Sequence, residues 1–166
     1  EIIYRTAMLY NEATCLIEIN DIGEQVSELL HYEFEYENIL FTESAGRAGR
    51  RISAGFSKGV DKGIRTTKTV KSIGCSILKL LVEQEQLIIN DHNTIEELSR
   101  FSRKGSSYEA ESGTHDDLVM CLVIFSWLAN QRYFKELTDV DVRGQMFADQ
   151  KNALEADMAP FGFIDN

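Results

Sequence analysis

The feature that most constrains this chain is a run of twelve residues, Leu118 to Ala129, that is apolar throughout except for Ser126. A helix that is hydrophobic all round belongs in a core or a membrane, and a bilayer span needs roughly 20 such residues. The run therefore predicts a buried helix, opening at Thr114 and reaching about Gln131, and no membrane partner. With 166 residues, 43% of them hydrophobic and 27% charged, the chain can enclose such a helix in one domain, while two full domains would be a squeeze. A single proline, Pro160, and ordinary charge content argue against disorder.

Around that helix the pattern alternates. Ile3, Ala7 and Tyr10 fall at helical spacing over residues 1–11, and Thr14 to Ile19 reads as a buried strand. Val26, Leu29, Leu30 and Phe34 give a second helix, Asn38 to Phe41 a short strand, and Val70 to Glu85 an amphipathic helix. Leu87 to Ile89 is strand-like, Thr94 to Phe101 a short helix capped by Asn93, and Ser102 to Gly113 a hairpin. Residues 42–66, rich in Gly, Ser and Arg, read as a long flexible loop. The fold class is α/β with an at least partly parallel sheet. Residues 1–131 form the expected domain, and 132–166 an acidic tail of the same domain with a short helix near Asp141 to Asp149. The chain opens at Glu1 in mid-pattern, with no cleavable signal, and reads as an excised piece. Cys15, Cys75 and Cys121 cannot all pair and lack metal-ligand spacing. They are expected to be buried free thiols in a reducing, intracellular compartment. The Tyr and Phe residues between 32 and 41 are expected in the core, and His31 and His92 in structural roles.

Two anomalies carry chemistry. Glu18 sits in Leu16-Ile17-Glu18-Ile19, where a buried strand would rather hold valine, and an unpaired buried carboxylate is costly. It shares a face with Leu16 and Asn20 near the carboxyl end of the strand, where open α/β sheets bind ligands. Pairing with an arginine, or an edge strand that leaves Glu18 solvated, would also explain it. The second anomaly is Thr114-His115-Asp116-Asp117 at the entry to the apolar helix. Thr114 with Asp117 resembles a capping box, which accounts for one acid. Two adjacent carboxylates repel, and a hard divalent cation such as Mg²⁺ or Mn²⁺ relieves the repulsion. His115 could orient a ligand or a water.

Net charge is −10, yet it is unevenly spread. Arg47, Arg50, Arg51, Lys58, Lys62, Arg65, Lys68 and Lys71 stand against one acid, Asp61, a local charge of +7. The rest of the chain, nine basic residues to 26 acidic, carries −17. Such polarity suits a polyanion held at one place, although a solvated basic loop would look the same. Arg103 and Lys104, within Ser102 to Tyr108, offer a second backbone contact or an ordinary polar hairpin. Strand and helix-start carboxylates beside a basic segment are the parts of a metal-dependent phosphodiesterase. Gly46-Arg47-Ala48-Gly49-Arg50 looks like a helicase arginine finger without other helicase motifs. No phosphate loop occurs, so no ATP site is expected.

Cys15 to Gly23, Lys68 to Leu81 and Glu111 to Leu128 closely resemble, in order, the nuclease domain of the large terminase subunit of T4-like tailed phages. The resemblance implies an RNase H-like mixed sheet flanked by helices and a Mg²⁺-dependent endonuclease, with Mn²⁺ able to substitute, that cuts concatemeric viral DNA during packaging. Glu18 corresponds to the family's second catalytic carboxylate and Asp117 to the third, with Asp116 as an auxiliary ligand. The first catalytic aspartate belongs to an opening strand that would precede Glu1, so the sheet is expected without its opening strands. Implied partners are double-stranded DNA, a separate ATPase domain, the small terminase subunit and the portal. Implied locations are the host cytoplasm and, transiently, the capsid portal vertex. The rival readings are a non-catalytic DNA-binding or motor-docking fragment and a structural phage protein with an acidic contact surface.

Overall fold

The chain opens with α1 (Ile2–Leu9), and an extended stretch through Cys15 and Glu18 follows. α2 (Gly23–Glu28) runs on into a wider π-helical turn, Leu29–Glu33. β1 (Phe41–Ser44), β2 (Arg50–Ser53) and β3 (Asp61–Lys62) form an antiparallel sheet in the order β2-β1-β3. Then come α3 (Lys68–Glu83), α4 (His92–Ser99), the hairpin of β4 (Phe101–Lys104) and β5 (Ser107–Ala110), and α5 (Asp117–Ala129). The computed structural model describes residues 1–46, 49–55, 58–105 and 107–136. The chain divides into two units, Glu1–Gln131 and Arg132–Asn166, and all of these elements lie in the first. Of the second, a helical turn at Arg132–Glu136 is described. The helix expected near Asp141 to Asp149, like Arg47 and most of the acidic tail, lies outside the described residues.

The parallel component of the sheet comes from the extended stretch. Cys15 bridges Ile39 and Glu18 bridges Ile64, both in parallel. Cys15 N–H donates to Asn38 (2.8 Å), Leu40 N–H to Cys15 (2.9 Å), Ile64 N–H to Ile17 (2.8 Å) and Ile19 N–H to Ile64 (2.9 Å). All four bonds engage the main chain of odd-numbered residues of the stretch. Strand geometry therefore turns the main-chain groups of Leu16 and Glu18 to the opposite edge.

Two apolar clusters hold the elements. Ala7, Leu30, Tyr36 and Ile39 pack with Tyr4, Cys15, Ile17 and Phe34, where the Tyr4 and Phe34 rings stack at 5.3 Å. Cys75, Leu78, Val119 and Val123 join α3 to α5, with Leu98, Phe101 and Tyr108 around them. α3 starts where the Thr67 side chain accepts from Val70 N–H (3.3 Å), and its buried residues Val70, Gly74, Cys75 and Leu78 follow the helical period. α5 sinks Val119, Val123, Ser126 and Trp127 completely. Each large apolar side chain so buried contributes about 1.5–3 kcal/mol.

Several expectations need correction. Residues 42–66 are not a loop throughout, because they supply most of β1 and all of β2 and β3. The sheet is held by polar side chains, which leave no hydrophobic period to read. The buried Thr42 hydroxyl donates to Gly63 C=O (2.6 Å) and accepts from Arg50 Nε (2.9 Å), while Arg50 also bonds Thr42 C=O (3.1 Å) and pairs with Asp61. Leu87 to Ile89 forms no strand, and Ile88 is 78% exposed. α4 is capped by Asp91, not Asn93, and α5 begins at Asp117 rather than Thr114. Cys121 is exposed, Cys15 half-buried and Cys75 alone fully buried. Tyr32 lies largely in solvent, although Tyr36 is core as expected.

Gly74 sets the spacing of α3 and α5, since a Cβ there would meet Val123 C=O at 2.4 Å. Overpacking of this kind costs about 1–3 kcal/mol, more than the roughly 1 kcal/mol of helix propensity an alanine adds. Gly74→Ala is expected to lower Tm by several degrees in thermal denaturation, and an unchanged or raised Tm would contradict the close approach.

Candidate active site

Main-chain bonds from Ile17 and Ile19 to Ile64, with Ile19 and Ile64 both buried, fix the strand that carries Glu18. Alternation then places Leu16, Glu18 and Asn20 together on a cavity of 590 Å³. Gly23, at the start of α2, is fitted against this strand so closely that a Cβ would collide with Glu18 C=O. Asn20 ties the strand's end to the approach of α3. Its amide donates to Thr66 C=O (3.3 Å) and its oxygen accepts from Thr66 N–H (3.0 Å).

The same cavity is lined by Lys71 of α3 and by Asp116 and Asp117 at the start of α5. Asp116 is the N-cap residue and Asp117 the first helical residue, yet no side chain at the N-cap makes a capping bond. The N–H groups of Leu118 and Val119 donate instead to Glu97 Oε2, at 2.8 and 3.2 Å. Thr114 Oγ1 donates to Glu111 C=O (2.8 Å), so the capping-box reading does not hold. Asp116 Oδ2 lies 3.8 Å from Lys71 Nζ, both side chains being mostly buried, and the ammonium stands 5.6 Å from the centre of the Phe101 ring. Neither Glu18 nor Asp117 has an ion pair or a side-chain hydrogen bond among the described residues, so the arginine partner entertained for Glu18 is absent there.

Electrostatics tie these groups together. Partial desolvation against the cavity wall pushes the thiol of the otherwise exposed Cys121 up, and the negative charges of Glu18, Asp117 and Glu97 push it further. Burial raises Cys75 to about 11, with Lys71 acting downward and Asp116 upward. Both thiols thus stay protonated near neutral pH and are poor nucleophiles. His115 does not join the cavity; it lines a separate groove with Glu96, Glu97 and Arg100.

The donor set is chemically suited to a hard cation: carboxylate oxygens from two elements around an open space, with no capping duty. The Thr66 hydroxyl on the cavity wall is buried and has no hydrogen-bond partner among the described residues, a polar atom that a water or a ligand oxygen would satisfy. Among the described residues no three His, Cys, Asp or Glu side chains are gathered tightly enough to enclose an ion. Glu18, Asp116 and Asp117 therefore form an open rim.

The basic segment is largely neutralised within the fold. Arg50, its side chain 9% exposed, pairs with Asp61; Arg51 pairs with Glu43 (2.6 Å); Arg65 reaches Glu24 (3.3 Å) and Asp61 (3.6 Å). Lys62 donates to Tyr32 Oη (2.8 Å) and lies 4.2 Å from that ring's centre. Lys58 and Lys68 are exposed, and Arg47 lies outside the described residues. On the hairpin, the exposed Arg103 and Lys104 bond Gly105 C=O (3.2 Å) and Ala110 C=O (2.7 Å). Glu24 and Glu43 lie outside the segment from Arg47 to Lys71, which is why counting charge within it overstated the basic patch. Glu97 escaped notice for the same reason: nothing local to it signals a cap 21 residues away.

A family model described as a terminase RNaseH-like domain matches residues 1–125, a span that takes in Glu18, Lys71, Glu97, Asp116 and Asp117. With the mixed sheet, the flanking helices and the carboxylate rim in place, the chain belongs to the terminase RNaseH-like domain family.

Proposed function

We propose that this chain is the nuclease part of a terminase large subunit of the T4-like kind, a divalent-cation-dependent endonuclease that cuts concatemeric viral DNA during genome packaging. Family membership points to a nuclease role in packaging. The observation that carries the finer reading is the release of Asp116 and Asp117 from helix capping, on one cavity with Glu18. Glu18 and Asp117 would hold Mg²⁺, or Mn²⁺ in its place, with Asp116 assisting. Such an ion, when bound, supplies an activated water and offsets the charge developing on the phosphate. Lys71 balances Asp116 and keeps adjacent carboxylates from repelling each other out of register. Lys58, Lys68, Arg103 and Lys104 hold the DNA backbone, while Arg50 serves the sheet and is not available to DNA. Double-stranded DNA, a separate ATPase domain, the small subunit and the portal are the partners of this reading, in the host cytoplasm and at the portal vertex.

A second reading, a DNA-binding fragment without catalysis, draws support from the open rim, which gathers no closed ligand set among the described residues. Supercoiled-plasmid cleavage with Mg²⁺ separates the two. Cleavage is expected, abolished by EDTA and slowed about 100-fold or more in Asp117→Asn or Glu18→Gln, equivalent to about 2.7 kcal/mol in the barrier. Undiminished cutting by Asp117→Asn would remove the assignment of this rim, and a gel shift without any cutting would favour the binding fragment.

Salt dependence tests the backbone contacts. Each phosphate contact steepens log K against log salt by about 0.9. The double variant Lys58→Ala, Lys68→Ala is expected to flatten that slope by about 2 units. A slope equal to wild type would show that these lysines do not touch DNA.

A further inference from the structure

We infer that Glu97 is a positioning residue of the site: its carboxylate anchors the first turn of α5 and thereby sets where Asp116 and Asp117 stand relative to Glu18. The inference rests on the metal-site reading above.

A helix leaves its first N–H groups without intrahelical partners, and a side chain at the N-cap is the usual acceptor. Here the N-cap residue is an aspartate, well suited to that task, and it does not perform it. Glu97 Oε2 takes both Leu118 N–H (2.8 Å) and Val119 N–H (3.2 Å) from α4. Bonds from N–H groups to a carboxylate are short and strong, and two of them on one oxygen restrain both the height and the rotation of the turn. The base is itself fastened, since Asp91 Oδ2 accepts from Thr94 N–H and Thr94 Oγ1, both at 2.8 Å, and Thr94 is buried.

The chemical consequence is a competition. If Glu97 is removed, the freed N–H groups sit beside Asp116 and Asp117, the nearest acids in the chain. Capping geometry and the positive end of the helix would draw one of those carboxylates back onto the helix. A carboxylate so drawn leaves the cavity, and Lys71 loses its counter-charge at 3.8 Å. Glu97 thus reserves two acids for the cavity by occupying the position they would otherwise take.

The test is Mn²⁺ binding to the 166-residue chain by titration calorimetry and electron paramagnetic resonance, with cleavage kinetics alongside. Glu97→Ala is expected to weaken Mn²⁺ about tenfold or more, the scale seen when a group that orients a metal ligand is lost. It should lower kcat with little change in the KM for DNA. Glu97→Gln, whose amide oxygen still accepts both N–H groups, is expected to recover most of the Mn²⁺ affinity. A folded Glu97→Ala chain that binds Mn²⁺ as wild type does would overturn the inference while leaving the metal site intact. A Glu97→Gln chain as impaired as the alanine variant would overturn it too, since charge and not anchoring would then matter. Should the alanine variant not fold, the glutamine variant alone decides, by retention or loss. A wild-type chain that binds no Mn²⁺ would overturn the metal-site reading itself, and this inference with it.

Discussion

The close approach of α3 to α5 governs where the charged groups of this domain stand. At Gly74 the two helices come near enough that no side chain fits between them and Val123 C=O. Follow α3 back one turn from that point and Lys71 appears; follow α5 back two turns and Asp116 appears, 3.8 Å from it. The ion pair is thus a consequence of helix packing driven by apolar burial at Val119 and Val123. The strand bearing Glu18 is brought to the same cavity by a separate set of bonds, through Ile17, Ile19 and Ile64. A site assembled from two independently fixed frames needs no long loop to hold it, and precise placement of this kind is what carboxylate-based catalysis requires.

Charge is apportioned unequally inside that frame. Four acids, Glu18, Glu97, Asp116 and Asp117, stand near one another. Glu97 is engaged by the N–H groups of α5 and Asp116 by Lys71. Glu18, half-buried, and Asp117, exposed, line the cavity without an ion-pair partner among the described residues, a local excess of negative charge. Like charges so placed repel, and an opposite charge set between them would relieve the repulsion. The arginines of β2 and of the approach to α3 cannot compensate it, because Asp61, Glu43 and Glu24 already hold them.

What could be read from the chain beforehand follows from which forces leave a local trace. Glu18 and the pair Asp116-Asp117 were legible because each interrupts or adjoins an apolar pattern, and a carboxylate there demands an explanation. The α5 helix was legible from its apolar run. Which face of it stays exposed was not: when every position is apolar the pattern has no direction, and Leu118, Cys121 and Phe125 emerge on the solvent side. The β1–β3 sheet was illegible for another reason. Its strands are two to four residues long and are held by Thr42, Arg50 and Asp61, residue types that in sequence look like loop chemistry. The cap from Glu97 depends on the fold already being formed.

The apolar side of the cavity completes the physical picture. Leu16, Met120, Ile124 and Phe125 line it together with the acids. Apolar side chains on one side limit the water around the acids and lower the local dielectric there, which strengthens an interaction between a carboxylate and a cation placed among them. The less water stands between them, the stronger such an interaction becomes. The hydrophobic helix that buries itself to make the core therefore also sets the surroundings of the acids at its own first turn.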